Sequence, residues 1–371
     1  MRGAVDTQTD LFCLISPESR VPKNHPLRRI KVLVDAALKD LSPLFDEMYA
    51  HEGRPSIPPE RLLKAKVLEA LNTIRSETLL IEALEYNLLF RWFLDFNLMD
   101  AVWDQSTFSK NQERLLAHNA AGLFFARVAA LAREQGWTSD AHFTVDGTLI
   151  DAWASLKSFQ PKSGPKNPNN GDPGNPNVDF HGQKRSNATH QSTTDRQAQL
   201  ARKGNGREAR LSFGLHALME NRNGLCVQAM VTTAHGTTES QGATELLARQ
   251  IEQSEKSPET LAADKGYHSA EVVGFCRNHG IKPHVAQQKG RSVKGLDGRT
   301  TRSLGDQTSQ KLRKRIEEVF GWCKEIGGLR RTRKRGTDRV GLSTMLILTT
   351  YNLVWMGKLL GSPPVNGLAT A

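Results

Sequence analysis

The feature that most limits the fold of this chain is an order of strands and helices that begins near residue 140. A strand is predicted over residues 142–150, and two more over 211–219 and 225–233. The last two flank residues 220–224, which contain an Asn-Gly pair, and such a pair between apolar runs predicts a β-hairpin. Helices then alternate with strands. This order predicts a mixed α/β sheet flanked by helices, with an antiparallel hairpin at one side.

The remaining elements of this region are shorter. Helices predicted over residues 240–254 and 269–279 alternate with strands over 260–263 and 281–285, and two helices close the region. The first closing helix is predicted over residues 311–326. The second contains residues 342–356, which are uncharged, too few to span a bilayer and interrupted by polar side chains. We therefore expect a buried core helix there.

Residues 26–136 have a helical pattern. Helix starts are predicted at Pro58-Pro59, at Ser76-Glu77 and at the polar run 104–107, each followed by apolar residues at helical spacing. Several short helices with polar joints suit a helix-turn-helix DNA-binding unit, and they suit any other small helical bundle equally well. The pattern alone leaves the two alternatives open.

The rest of the chain divides by composition. Residues 1–25 are predicted to be a flexible N-terminal segment, 137–360 a second domain, and 361–371 a tail. Inside the second domain, residues 160–194 are rich in Pro, Gly, Asn and Lys. Such a composition buries too little apolar surface to fold alone, so we predict a disordered polar loop.

Charge and cysteine content narrow the class of protein. The chain has 50 Lys and Arg against 39 Asp and Glu, a formal net charge of +11. An excess of this size favours a polyanionic partner, because each phosphate contact releases counterions. The four cysteines have no regular spacing, and the N-terminus lacks an apolar signal-peptide segment. We expect a soluble protein of a reducing cytoplasm.

Two aspartates are candidates for a metal site. Asp146 is an acid within an apolar strand, and Asp264 follows the end of another strand. Ligand sites lie outside strand ends in open sheets of this kind, and carboxylates there suit hard cations such as Mg²⁺. A strand-end Asp more often only caps a turn, and for each residue alone that alternative stays open.

A third acid is selected by helix geometry. On a helix over residues 311–326, Glu317 shares one stripe with Arg313 and Lys324, beside the apolar face. Glu318 falls among lysines, where a solvated ion pair is expected. An acid between two cations suits a site that binds metal and phosphate together. A pair of surface salt bridges is the alternative interpretation.

Basic charge is concentrated next to Glu317. Residues 311–339 contain eleven Lys and Arg and four Asp and Glu. Such a run usually forms a solvated surface, but its position next to the candidate site favours a surface that binds a phosphate backbone. The candidate DNA-binding residues are Arg313, Lys324, Arg315, Lys311, Arg330, Arg331, Arg333, Lys334, Arg335 and Lys265.

Three motifs give the chain a family resemblance. Residues 145–155, 263–267 and 313–324 resemble the three carboxylate motifs of bacterial insertion-sequence transposases of the DDE type, specifically insertion-sequence family five. Residues 53–60, 86–93 and 106–110 look like the N-terminal helical domain of that family. The third motif departs from the family pattern at one position, where Gln310 stands in place of Tyr.

The resemblance implies a ribonuclease H-like catalytic core behind an all-α DNA-binding domain. It implies that Asp146, Asp264 and Glu317 are catalytic acids that hold two Mg²⁺ ions, with Mn²⁺ able to substitute. The expected activity is cleavage of double-stranded element ends and strand transfer to target DNA, by a homo-oligomer at the bacterial nucleoid. Two alternatives stay open: a nuclease of the same fold without joining activity, and a domesticated DNA-binding regulator. Terminal inverted repeats around the coding region would favour the transposase.

Overall fold

The computed structural model of the chain describes residues 16–49, 52, 56–162, 179–180, 183–204, 206–234 and 238–361. The helices are α1 Pro17–Arg20, α2 Pro26–Asp40, α3 Ser42–Glu47, α4 Pro59–Leu71, α5 Glu77–Tyr86, α6 Leu88–Phe93, α7 Gln105–Ala117, α8 Ala120–Glu134, α9 Thr238–Ser254, α10 Ala270–Asn278, α11 Gly298–Thr301, α12 Leu304–Leu312, α13 Ile316–Glu325 and α14 Thr337–Leu359. The strands are β1 His142–Ala152, β2 Phe159–Pro161, β3 Asp179–Phe180, β4 Gln183–Lys184, β5 His190–Ser192, β6 Gln199–Ala201, β7 Arg210–Glu220, β8 Leu225–Thr233, β9 Thr260–Ala263, β10 Lys282–Val285 and β11 Arg331–Thr332.

The main sheet is mixed, as the order of elements predicts. Strands β1, β7 and β8 form an antiparallel meander, in which β7 pairs with β1 on one side and β8 on the other. On the far side of β1, strands β9 and β10 continue the sheet in parallel. Two short strands complete it: β6 pairs with the start of β7, and β11 pairs with the end of β1. The predicted α/β mixed sheet flanked by helices is confirmed.

Helices cover both faces of this sheet. One face buries an apolar cluster against α13 and α14, with Phe213, Phe320 and Tyr351 among its members. The opposite face packs against α9 and α10 through residues such as Leu246 and Val272. A sheet buried on both faces excludes water from the middle of its strands, so a polar side chain buried there needs a hydrogen-bond partner within the protein.

The N-terminal helices share their core with the C-terminal helix. Apolar side chains from α2, α4 and α8 pack together with Leu346, Leu353 and Met356 of α14. By length and composition α14 would be able to cross a membrane, but 67% of its most apolar stretch is buried inside the protein. This confirms the predicted core helix over residues 342–356. At the predicted domain boundary after residue 136 the chain changes from helices to strands, while one apolar core contains residues from both sides of that boundary.

Side-chain caps fix the helix starts that the sequence predicts. Ser76 Oγ accepts a hydrogen bond from Leu79 N at the start of α5, and Asp104 Oδ1 accepts one from Thr107 N at the start of α7. These caps satisfy backbone donors that a helix leaves unpaired. The starts at Pro59, Glu77 and Gln105 confirm the predictions for this region.

Two predicted segments were wrong in detail. The helix over residues 311–326 is divided by a 3₁₀ turn, Arg313–Arg315, so α12 and α13 are separate helices. The predicted polar loop over 160–194 contains order at its ends, where β2 pairs with β5. That pairing is closed by a hydrogen bond between the hydroxyls of Ser158 and Ser192, a polar contact that composition does not reveal. Residues 163–178 and 181–182 of this loop lie outside the described residues.

Candidate active site

The two candidate aspartates lie level with each other on neighbouring parallel strands. In the β1–β9 pairing, Phe143 is opposite Leu261 and Thr144 is opposite Ala262. Two residues further along the same register, Asp146 comes level with Asp264, which directly follows the end of β9. Parallel neighbours stand about 4.8 Å apart, so the two carboxylates reach the same opening at the edge of the pairing.

Both aspartates also bind local backbone. Asp146 Oδ1 accepts a hydrogen bond from Gly147 N at 2.8 Å, and Asp264 Oδ1 accepts one from Gly266 N at 2.6 Å. The turn-capping role that the sequence left open for Asp264 is therefore present. In each aspartate the backbone hydrogen bond occupies one carboxylate oxygen and fixes the orientation of the side chain.

A cavity of about 620 Å³, which we call the acid cavity, brings the third acid to the same place. Asp146, Asp264 and Glu317 line it together. Glu318 is not among the described residues that line this cavity, although it is exposed on the same helix. The three acids thus come from β1, from the end of β9 and from the first turn of α13.

The electrostatics of Asp146 reflect its neighbours. Burial, together with the negative charges of Asp264 and Glu317, raises the pKa of Asp146 to about 7. The hydrogen bond from Gly147 and the positive charge of Arg313 act in the opposite direction. Three carboxylates in one partly buried opening repel one another, and the charge of a divalent cation would relieve that repulsion.

The donor set of the acid cavity fits a hard cation. Carboxylate oxygens are the ligands that Mg²⁺ and Mn²⁺ prefer in proteins. Within the described parts of the chain, no group of three His, Cys, Asp or Glu side chains is placed to coordinate one metal ion. Mg²⁺ needs only one or two carboxylates when phosphate oxygens and water complete its shell, and Glu317 is exposed.

Two cations of the third motif lie beside this opening. Lys324 Nζ donates to Thr148 Oγ1 at 2.5 Å, two residues beyond Asp146 on β1. Burial lowers the pKa of Lys324. Arg313 Nε donates to Gln310 Oε1 at 2.8 Å, and Gln310 Nε2 in turn donates to the carbonyl of His284 at 2.8 Å. The residue at the position of the family Tyr therefore ties Arg313 to the end of β10.

The other basic candidates are distributed over separate surfaces. Arg330 shares a second cavity of about 660 Å³ with Glu317 and Lys324, and it is ion-paired with Glu325. Arg331 donates to the carbonyls of Ala152 and Trp153. The guanidinium of Arg333 lies 5.0 Å from the centroid of the Trp153 ring. Arg315 donates to the carbonyl of Asn221. Three more candidates are exposed: Lys311, Arg335 and Lys265.

Lys334, another basic candidate, is held by an acid of the N-terminal helices. Its Nζ lies 2.7 Å from a carboxylate oxygen of Glu77, whose side chain is 15% exposed. Burial alone would raise the pKa of Glu77, but the hydrogen bond from Lys334 and the charges of Lys66 and Lys334 lower it to about 2. This ion pair links α5 to the segment after β11, so it ties the helical region to the sheet.

Replacing Glu77 by Gln should therefore reduce stability in a pH-dependent way. A carboxyl whose pKa is lower in the folded chain stabilises the fold above its unfolded pKa of about 4.5, and the contribution disappears as the pH falls towards 2. We expect a loss of about 1–2 kcal/mol in the free energy of unfolding at pH 7. Urea unfolding of the variant and wild type from pH 7 downwards measures it. A difference that does not shrink below pH 4.5 would contradict this account.

Among the residues that the sequence did not single out, His216 and Glu239 line the acid cavity and Tyr267 lies next to it. Tyr267 is 1% exposed and its hydroxyl has no hydrogen-bond partner among the described residues. His216 is 3% exposed, its Nε2 is 3.0 Å from Thr232 Oγ1, and burial lowers its pKa to about 4. Glu239 lines the cavity from the first turn of α9, and burial and the charge of Asp264 raise its pKa.

A signal for these residues was present but ambiguous. Tyr267 ends the second motif, and its burial follows from packing that a motif does not describe. An acid in the first turn of a helix, such as Glu239, is usually explained by the positive end of the helix dipole. His216 lies within an apolar strand, where a buried histidine in packed core is the common outcome.

Two family models match the chain. The model described as "Transposase domain (DUF772)" matches residues 15–114, and the model described as "Transposase DDE domain" matches residues 181–353. Together they cover about three quarters of the chain. Asp264 and Glu317 lie inside the second range, and Asp146 lies between the two. The search of curated proteins found no match.

Solved structures with remote similarity are also transposases. A piggyBac transposase synaptic complex with hairpin DNA gives a TM-score of 0.39 at 10% identity and covers 93% of this chain and 78% of that chain. A Mos1 transposase paired-end complex gives a TM-score of 0.21 at 11% identity and covers 82% of this chain and 93% of that chain.

Proposed function

We propose that Asp146, Asp264 and Glu317 are the three catalytic acids of this chain, which belongs to the DDE transposases, enzymes that cleave DNA and transfer its strands with the help of divalent metal. The observation that carries this proposal is the register of β1 and β9, which makes the two aspartates level at the opening that Glu317 also lines. Three acids from distant parts of the sequence in one cavity are hard to explain by folding needs, because their charges repel.

We propose that Asp146, Asp264 and Glu317 hold two Mg²⁺ ions, for which Mn²⁺ substitutes. The bound cations would stabilise the charge that develops on the scissile phosphate and activate the attacking hydroxyl. The acids position the cations through oxygens that the backbone hydrogen bonds of Gly147 and Gly266 leave free. Lys324 and Arg313 bind the oxygens of neighbouring phosphates. The same residues serve cleavage and joining, since both reactions displace an oxygen at phosphorus.

Lys324 offers a direct test of the phosphate contact. Lys324→Ala should lower the affinity for a DNA duplex that carries an element end by about ten-fold at moderate salt, because one phosphate contact is lost. The slope of log affinity against log salt concentration should fall by about 1. Fluorescence anisotropy across a salt series measures both. Lys282→Ala, which removes an exposed lysine of β10, is the matched control. An unchanged slope for Lys324→Ala would show that Lys324 contacts no phosphate.

The activity itself is tested with the DNA that flanks the coding region. Purified full-length chain, a duplex containing each flanking end, a supercoiled target plasmid and Mg²⁺ should yield both cleaved ends and joined products. A nuclease of the same fold would yield cleavage alone, and a DNA-binding regulator would yield neither product. We further propose that the active species is a homo-oligomer that bridges two ends, which sedimentation of the chain with and without end DNA would reveal.

A further inference from the structure

The acid cavity contains a fourth carboxylate, that of Glu239. This residue lies in the first turn of α9, the helix that follows strand β8, and it lines the cavity together with Asp146, Asp264 and Glu317. Its position depends on close packing of α9 against the sheet. A Cβ placed on Gly242 would lie 2.9 Å from His216 Cγ, so only glycine at this position lets the first turns of α9 approach β7 so closely.

Glu239 and Asp264 converge on one point. A Cβ placed on Gly266 would lie 2.8 Å from Glu239 Oε2 and 2.9 Å from Asp264 Oδ1. The two carboxylate oxygens therefore lie no farther apart than these distances combined, on the same side of the Gly266 backbone. Gly266 N donates to Asp264 Oδ1, and among the described residues no hydrogen bond to Glu239 is formed that would offset the negative charge.

A buried hydroxyl lies next to the same acids. The Tyr267 hydroxyl lies 3.3 Å from a Cβ placed on Gly147, the residue after Asp146, and the charges of Asp146, Glu239 and Asp264 all act on it. It is among the buried polar atoms of the described chain that have no hydrogen-bond partner. Leaving a buried hydroxyl unpaired is unfavourable, so its position beside the acids points to a polar ligand there.

We propose that Glu239 is a fourth acid of the active site and that Glu239 and Asp264 together hold one divalent cation, a proposal that rests on the function proposed above. Two carboxylates are the usual protein share of a Mg²⁺ shell that phosphate and water complete. With a cation bound, the Tyr267 hydroxyl would donate to one of these carboxylates or to water in that shell, which would supply its missing partner. The alternative is that Glu239 only stabilises the N-terminus of α9.

The experiment measures binding of Mn²⁺ alone to the full-length chain, without DNA, by the electron paramagnetic resonance signal of free Mn²⁺. Glu239→Gln should weaken binding at one site by about ten-fold or more, as Asp264→Asn should. Glu252→Gln removes an exposed acid from the same helix and should bind like the wild type. Gly266→Ala should also weaken binding, because the added methyl group displaces both carboxylates while their charges remain.

The outcomes separate this proposal from the one on which it rests. If Glu239→Gln binds Mn²⁺ like the wild type while Asp264→Asn is impaired, the fourth acid is excluded and the three catalytic acids stand. If Glu239→Gln only lowers the unfolding temperature, its role is at the helix end. If Asp146→Asn and Asp264→Asn both bind like the wild type, the metal site itself has been placed wrongly and both proposals fail.

Discussion

Asp146→Asn, Asp264→Asn and Glu317→Gln are each expected to slow Mg²⁺-dependent DNA cleavage by about a thousand-fold. Each change removes one negative charge from the cavity in which, under the proposed function, the acids would compensate the charge of the bound cations. The loss is large because the cations act on charge that develops only in the transition state. Single-turnover cleavage of an element-end duplex measures it, and strand transfer should fall in parallel.

Glu318→Gln is the matched control for this series. Glu318 follows Glu317 on α13, is exposed, and is absent from the described lining of the acid cavity. Its replacement removes the same charge from the same turn of helix and should leave the cleavage rate within about two-fold of wild type. Wild-type cleavage by any one of the three acid variants would remove that acid from the proposed site.

Arg91→Ala is expected to lower the free energy of unfolding by about 3 kcal/mol. Arg91 is 3% exposed, and its guanidinium donates from Nη2 to the carbonyls of Asn97 and Asp100, each at 2.5 Å, and to that of Leu98 at 3.2 Å. These bonds hold the segment between α6 and α7. Truncation leaves several carbonyls without their charged donor, which is among the more destabilising classes of substitution.

Urea unfolding of the full chain measures this loss. Arg75→Ala, which removes an exposed arginine between α4 and α5, should change the free energy of unfolding by less than about 0.5 kcal/mol. If Arg91→Ala were as stable as Arg75→Ala, the carbonyls of residues 97–100 would be satisfied without the guanidinium. The short helices would then owe their arrangement to apolar packing alone.

Local signals explain how much of the fold was predictable. The hairpin of β7 and β8 depends on its Asn-Gly turn, and the starts of α4, α5 and α7 depend on adjacent capping or proline residues. Such features are encoded within a few residues, so the sequence alone predicts them. The order of strands and helices then leaves few sheets that satisfy the rules of connection, and the mixed sheet is among them.

Long-range contacts explain what the sequence did not predict. The 3₁₀ turn at Arg313–Arg315 coincides with a hydrogen bond from Arg315 to the carbonyl of Asn221, which is 94 residues away in the chain. The basic residues after Glu325 are divided between surfaces because β11, only two residues long, pairs with β1. Neither contact is encoded in a local sequence pattern. The sequence therefore predicted a single basic surface over residues 311–339.

The candidate site shows the same division. Helix geometry favours Glu317 over Glu318, because the difference between them depends on one helix alone. The level placement of Asp146 and Asp264 depends on the pairing of β1 with β9, and the approach of Glu239 depends on the fit of Gly242 against His216. Residues that become neighbours only through tertiary packing need the structure to be found.

The central claim is that β1, the end of β9 and the start of α13 surround one metal site, and iron-directed cleavage of the chain tests it most directly. Fe²⁺ replaces Mg²⁺ in the full-length protein, ascorbate and peroxide generate hydroxyl radicals at the bound ion, and mass spectrometry locates the cut peptide bonds. Cuts near residues 146, 264 and 317 that disappear together when excess Mg²⁺ is added are the predicted result. Cuts confined to one of these segments, or clustered elsewhere in the chain, would contradict it.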